Sequence, residues 1–196
     1  HQQLRQRFQL LASERYSRIE ERFEDQEQRL DGLRRFFVYS GTVSREEFDG
    51  YTKPLLRRTQ AYSWAPRVSR AERPLLERAV LEEGLSNFTF RELTADGQLQ
   101  PAAERNEYVP VLYTQTQSRL PTPLGYDLLA QPLRRSTLER ADRSGSMVVS
   151  QPLHLVGIEP AYARGVLLVA PVNHQNLPSA APAGYVMAVI SMRQLL

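Results

Sequence analysis

The chain has 196 residues, no cysteine and a formal net charge of +3. That length suits one large or two small domains with a real buried core, and the missing cysteines exclude a disulfide scaffold, a thiolate metal site and a cysteine nucleophile. The longest apolar stretches, Gly165–Val172 and Tyr185–Ile190, fall far short of the ~20 residues of a membrane span, and no signal-peptide pattern opens the chain at His1.

The first predicted element is a helix from residue 3 to about 40. Leu4, Phe8, Leu11, Tyr16, Ile19, Phe23, Leu30, Leu33 and Phe37 recur mostly in steps of three and four, the spacing of a narrow apolar stripe. At 1.5 Å per residue it is roughly 57 Å long. A helix of this kind cannot bury its stripe alone. It is either a core helix of its own body or a dimerising stalk, and its length favours the stalk. All basic residues but Lys53 are arginines. On this helix they alternate with acids at i,i+4, as in Glu14/Arg18, Asp25/Arg29 and Asp31/Arg35. A nucleic-acid face would segregate its charge into a patch, so no nucleic-acid partner is expected.

Gly41 ends the stalk, and Ser44 with Glu47 forms a capping box for a helix carrying Phe48, Tyr51, Leu55 and Leu56, interrupted at Pro54. A second box, Ser69 with Glu72, opens a helix that runs to about Glu82 and stops at Gly84. Asn87–Leu93 alternates like a strand before an Asp96-Gly97 turn. Tyr108–Thr114 reads as one strand, Gln131–Arg143 as a helix closed by Gly145. Met147–Ser150, Leu153–Val156, Gly165–Val172 and Tyr185–Ile190 are further strands, the last two joined by a loop at Asn173–Gly184. Helices first and antiparallel strands after make an α+β chain.

Chemistry is sparse along this scaffold. There is no G-x-S-x-G elbow, Walker loop or G-x-G-x-x-G, so no catalytic residue and no cofactor is predicted. A metal centre would have to use His154, His174 and scattered acids, and none is predicted. His1 stands at the chain start. His154, between Leu153 and Leu155, is read as a surface or hydrogen-bonded histidine, with a catalytic or ligating role as the alternative. Asp127 has the same two readings, a turn or capping aspartate or a catalytic acid. Tyr108, Tyr113, Thr114, Thr116, Tyr126, Ser150 and Tyr162 would furnish either an apolar cup with a few polar groups or an ordinary half-buried sheet.

From Trp64-Ala65-Pro66-Arg67-Val68, with Glu72-Arg73 and Glu77, the chain resembles the CHASE sensor domain. The likeness continues through Glu107-Tyr108-Val109-Pro110-Val111, Leu124-Gly125-Tyr126-Asp127-Leu128 and Leu138-Glu139-Arg140-Ala141 with Ser144-Gly145. Ser150-Gln151-Pro152-Leu153, Leu168-Val169-Ala170-Pro171-Val172, Gly184-Tyr185-Val186 and Leu195-Leu196 follow in the family's order. The resemblance covers roughly residues 36 to 196. It implies a periplasmic ligand-sensing domain of a bacterial inner-membrane receptor, non-catalytic itself and anchored by membrane helices flanking both ends. The output domain implied is a diguanylate cyclase, phosphodiesterase or sensor histidine kinase.

The fold implied is a long N-terminal stalk helix carrying two PAS-like antiparallel-sheet subdomains. Residues 1–60 would supply the stalk and the following helix, 61–172 the membrane-distal ligand-binding subdomain, and 173–196 the end of the membrane-proximal one. A homodimer through the stalk and a small-molecule ligand are the partners implied. In cytokinin-binding members the pocket strand ends in an aspartate that accepts bonds from adenine. Thr116 matches it here, and a hydroxyl cannot supply a carboxylate's paired acceptors. Ser150 matches a pocket threonine and Leu138 an apolar position on the helix. Tyr113, Thr116, Tyr126, Leu138 and Ser150 therefore form the expected ligand site. None of them is charged, so the expected ligand is mostly neutral, planar or apolar. Two other readings are a periplasmic protein-interaction module with no small-molecule pocket, and a hydrolase built around Asp127 and His154.

Overall fold

The structure is a computed structural model and describes residues 2–173 and 181–196. His1 and His174 lie outside the described residues, as does most of the Asn173–Gly184 loop.

In chain order the elements are α1 (Gln2–Ser40), α2 (Arg45–Thr52), β1 (Ala61–Pro66), β2 (Val68–Ser69), α3 (Arg73–Glu82), β3 (Arg91–Leu93), β4 (Leu99–Pro101), β5 (Glu107–Tyr108), β6 (Tyr113–Thr116), α4 (Pro132–Ser144), β7 (Val148–Val149), β8 (Leu153–His154), β9 (Arg164–Val172), β10 (Gly184–Ser191) and α5 (Met192–Leu195). The class is α+β: a long N-terminal helix followed by an antiparallel sheet. No helix among the described residues is long and apolar enough to cross a membrane.

The sheet runs β6-β1-β10-β9-β7, with β8 also on β9. β9 and β10 are apolar on both faces, so each needs cover on two sides and neighbours on both edges. β10 finds its neighbours in β1 and β9, pairing Val186 with Trp64 and Ala170. A domain boundary after residue 172 would therefore run between adjacent strands of one sheet. Among the described residues the remaining strands form only two short ladders, β2–β5 and β3–β4, and no second large sheet.

α1 covers one face. Gln26, Leu30, Leu33 and Phe37 are buried there, against Val166, Leu168, Val186, Ala188 and Ile190 of the sheet. Polar contacts pin the same stretch. Gln26 accepts from Thr59 Oγ1 at 2.6 Å and donates to Arg58 O at 3.1 Å, and Arg29 Nη1 reaches Leu55 O and Arg57 O. N-terminal to Ile19 the helix is exposed throughout. The helix is thus docked on its own body over its C-terminal half and exposed over its N-terminal half. Of the expected ion pairs Asp25–Arg29 forms at 2.8 Å, while Asp31 takes Arg34 one residue earlier than Arg35.

The caps behave locally, with one displacement. Ser44 and Glu47 form their reciprocal box at the start of α2, which passes into a 3-10 turn at Lys53–Leu55 where Pro54 stands. Ser69 and Glu72 also exchange both bonds, but around a turn, because α3 begins only at Arg73. The strand expected over Tyr108–Thr114 is split. Pro110 has no N–H for a ladder, and the chain crosses there from β5, paired with β2, to β6, paired with β1. Asn87–Phe90 precedes rather than belongs to β3. Its Phe88 and Phe90 sit in a side cluster with Val80 and Tyr108.

Leu33 is fully buried and Leu4 is 70% exposed on the same helix. Leu33→Ala is expected to lower the unfolding free energy by about 2–5 kcal/mol and Leu4→Ala by no more than about 0.5 kcal/mol, measured by denaturant titration.

Candidate functional site

The sheet face opposite α1 is covered by α4 and by the segments before it and after β8. Between cover and sheet lies a cavity of about 50 Å³. Its floor is Ser63 of β1, Leu167 of β9 and Met187 and Val189 of β10. Its walls are Val111, Pro123, Tyr126, Leu128, Leu155 and Val156, and Arg134 closes it from α4.

Local chemistry puts Arg134 there. Gln131 caps α4 by accepting from Arg134 N at 2.8 Å, Pro132 sits in the first turn, and Gly145 ends the helix at φ 65°. The helix face turned to the sheet is Arg134, Thr137, Leu138 and Ala141, the i, i+3, i+4, i+7 set of a buried stripe. The other end of α4 is held by charge. Asp142 accepts from Arg67 Nη2 at 3.0 Å and from the Tyr185 hydroxyl, and Arg67 also pairs with Glu107. Burial works against the Arg67 charge, but the surrounding carboxylates outweigh it and hold the guanidinium above its ordinary pKa. Burial and the bond to Asp142 push the Tyr185 phenol up.

Arg134 has no such partners. It is 6% exposed. Its Nη2 donates to His154 O at 2.7 Å, its guanidinium carbon lies 5.4 Å from the Tyr126 ring centroid, and no described carboxylate forms an ion pair with it. Burial depresses its pKa, although a guanidinium stays protonated. The Tyr126 hydroxyl is buried without a hydrogen-bond partner among the described residues, and burial raises its pKa. Ser63 Oγ donates to Thr114 Oγ1 at 3.1 Å.

Tyr126 reaches its place through Gly125, whose φ is +86° and whose added Cβ would strike Thr89 O. The next residue, Asp127, is fully buried and caps the 3-10 turn Leu128–Ala130. Its Oδ1 accepts from Val109 N at 2.8 Å and Leu129 N at 3.1 Å. That is the capping role. His154 has its side chain exposed on β8 and contributes its carbonyl to Arg134. No group of three or more described His, Asp or Glu residues could hold a metal.

Of the five residues expected to form the ligand site, Tyr126 lines this cavity. Tyr113 is on the α1 side, donating to Val43 O at 2.9 Å and packing against Phe48. Thr116 pairs with Ala61 and bonds Gln60 O and Ser118 N. Leu138 is buried under α4, beyond the cavity wall. Ser150 accepts from Leu167 N and donates to Gln151 O, joining β7 to β9. Unlike the expected set, the lining of this cavity includes a charged group, Arg134. Its helical phase, four and seven residues before Leu138 and Ala141, is the signal that reveals it.

Comparison with known proteins gives two findings. The family model described as the CHASE domain matches residues 41–196. Among solved structures, the chain is similar to the ligand-binding domain of the Pseudomonas aeruginosa PAO1 amino acid chemoreceptor PctB in complex with L-Gln, at 14% identity and a TM-score of 0.51. That match covers 93% of this chain and 53% of the other, so this chain spans about half of that domain. The likeness is one of fold, PAS-like. No curated protein matches the sequence.

Burial raises the Asp127 pKa, and the bonds from Val109 N and Leu129 N and the charges of Arg105 and Arg135 oppose it only in part. A carboxyl raised in the folded state favours folding below its unfolded pKa and loses that contribution as pH rises through the folded value. Asp127→Asn keeps an acceptor for both N–H groups. Its stability relative to the parent is expected to be more favourable at about pH 7 than at about pH 4, measured by denaturant unfolding at both.

Proposed function

The chain belongs to the CHASE domain family, and on that premise we propose that it is the periplasmic ligand-sensing domain of a transmembrane signalling receptor in a bacterial inner membrane. CHASE domains are extracytoplasmic sensory modules without catalysis of their own. The output proposed for the whole receptor is a diguanylate cyclase, a phosphodiesterase or a histidine kinase. The observation that carries the reading is the cavity between α4 and the sheet, apolar over most of its wall with a few converging polar groups, the composition of a small-molecule site. Its presence supports a small-molecule sensor over a module that binds only other proteins. PctB holds L-Gln, but at this identity the likeness carries the fold and not the ligand.

Signalling requires that ligand favour one arrangement of the domain over another. β10 is built for that. Met187 and Val189 line the cavity while Val186, Ala188 and Ile190 pack on the α1 side, and the strand runs into α5, whose Leu195 carbonyl accepts from Arg22 of α1. A ligand displacing β10 therefore acts on α1 and on the C-terminal helix together.

The domain is proposed to act as a homodimer through its stalk. Leu4, Phe8, Leu11 and Tyr16 stand exposed on α1, whereas Phe23 packs against the body. Joint replacement Phe8→Glu and Leu11→Glu is expected to convert a dimer to a monomer in sedimentation equilibrium without changing the far-UV spectrum. An unchanged mass would contradict the stalk interface.

The ligand reading is tested by a thermal-shift screen of small metabolites. Ligand at about 100 times its Kd stabilises by about 2.7 kcal/mol, which raises Tm by roughly 5–10 °C for a chain of this size. Val189→Phe, which fills the cavity, is expected to abolish the shift. Absence of any shift in the parent protein, or an equal shift in the variant, would contradict the site.

A further inference from the structure

Arginines packed in this fold are generally answered by acids. Arg67 has Glu107 and Asp142, Arg73 has Glu77, Arg105 has Glu92 and Arg45 has Glu83. Those four are half-buried; Arg134 is buried, with one carbonyl for five N–H donors and no carboxylate partner among the described residues. A buried charge without a counter-charge is strongly destabilising. The missing partner has a place to stand, because the cavity that Arg134 closes is also lined by Tyr126, whose hydroxyl is buried and unpartnered among the described residues. The guanidinium lies against the Tyr126 ring.

We propose that this cavity binds a short aliphatic monocarboxylate of two to four carbons, its carboxylate held by the Arg134 guanidinium and the Tyr126 hydroxyl. The proposal rests on the ligand-sensing reading and names the ligand class for the same site. Three features set that class. A planar carboxylate has two oxygens, which suits one guanidinium edge and one further O–H donor. The rest of the wall, including Leu128, Leu155, Leu167 and Met187, is apolar and suits an alkyl group. The volume of about 50 Å³ accommodates about three to five water-sized spheres, the size of acetate or propionate. Among the described residues no Asp or Glu lines the cavity, so no carboxylate there answers an ammonium group. An amino acid with a free α-amine is thereby disfavoured against the plain acid.

The ligand also completes the fold of the cover. With the carboxylate in place Arg134 becomes one half of a buried ion pair, and the N-terminal end of α4 is tied to the Tyr126 segment as Asp142 ties its C-terminal end to Arg67 and Tyr185.

The test is isothermal titration of the protein with sodium propionate, against propionamide, alanine and sodium nitrate at matched ionic strength, with Tm followed in parallel. Propionate is expected to bind and to raise Tm, propionamide and alanine to bind at least about tenfold more weakly, and nitrate to leave Tm unchanged. Arg134→Met is expected to lower propionate affinity by at least about 30-fold, and Tyr126→Phe by about tenfold or more. The phenylalanine variant removes one oxygen and keeps the ring, so it serves if the methionine variant does not fold. Equal binding of propionate and propionamide, undiminished affinity in both variants, or an equal response to nitrate would overturn the proposal. If the carboxylates fail while another compound in the screen shifts Tm and Val189→Phe blocks it, the ligand class is wrong and the sensor reading stands. If no compound shifts Tm, the sensor reading itself fails.

Discussion

The period-two alternation of β9 and β10 is the constraint on which the rest of the structure depends. Val166, Leu168, Ala170, Val186, Ala188 and Ile190 point one way and Leu167, Val169, Tyr185 and Met187 the other. Side chains of this size contribute about 1.5–3 kcal/mol each on full burial, so neither face can be left to water. One face draws in the C-terminal half of α1, and the other draws in α4 and its flanking segments. A slip of one residue would exchange every side chain between the two covers. The register that makes the core therefore also decides which residues meet the stalk and which meet the cavity.

The two covers differ in kind. α1 meets the sheet with Leu30, Leu33 and Phe37 and with Gln26, whose amide is bonded by Thr59 and Arg58. α4 meets it with an apolar C-terminal half, locked by the Arg67, Asp142 and Tyr185 cluster, and with a guanidinium at its N-terminal end. Where Leu138 and Ala141 pack, the cover is tight. Where Arg134 stands, a cavity remains, since a guanidinium neither packs like an aliphatic chain nor finds an acid to pair with. The cavity is thus a stretch of this sheet face where the cover is incomplete.

Signals carried by neighbouring residues were legible in the sequence. The end of α1 at Gly41, the Ser44–Glu47 box, the Asp96-Gly97 turn, Gly145 after α4 and the long strands β9 and β10 all follow from local backbone chemistry. Long-range pairing was less so. Nothing within residues 173–196 says that β10 inserts between β1 and β9, and the split of Tyr108–Thr114 at Pro110 depends on two different partner strands. The candidate site was legible only at Tyr126. Thr116 and Ser150 lie where the family order puts them but are engaged by backbone groups, a fact of tertiary structure. Arg134 was hidden among exposed arginines of the same helix, and only the phase it shares with Leu138 and Ala141 separates it from them.

Because β10 is shared between cavity and stalk, occupancy of the one should be felt by the other. Hydrogen exchange with and without saturating ligand measures this directly at Val186–Ser191 and at Gln26–Phe37. Binding is expected to slow exchange in both segments, the second of them on the sheet face opposite the cavity. Protection confined to α4 and the cavity wall, with Gln26–Phe37 unchanged, would contradict it.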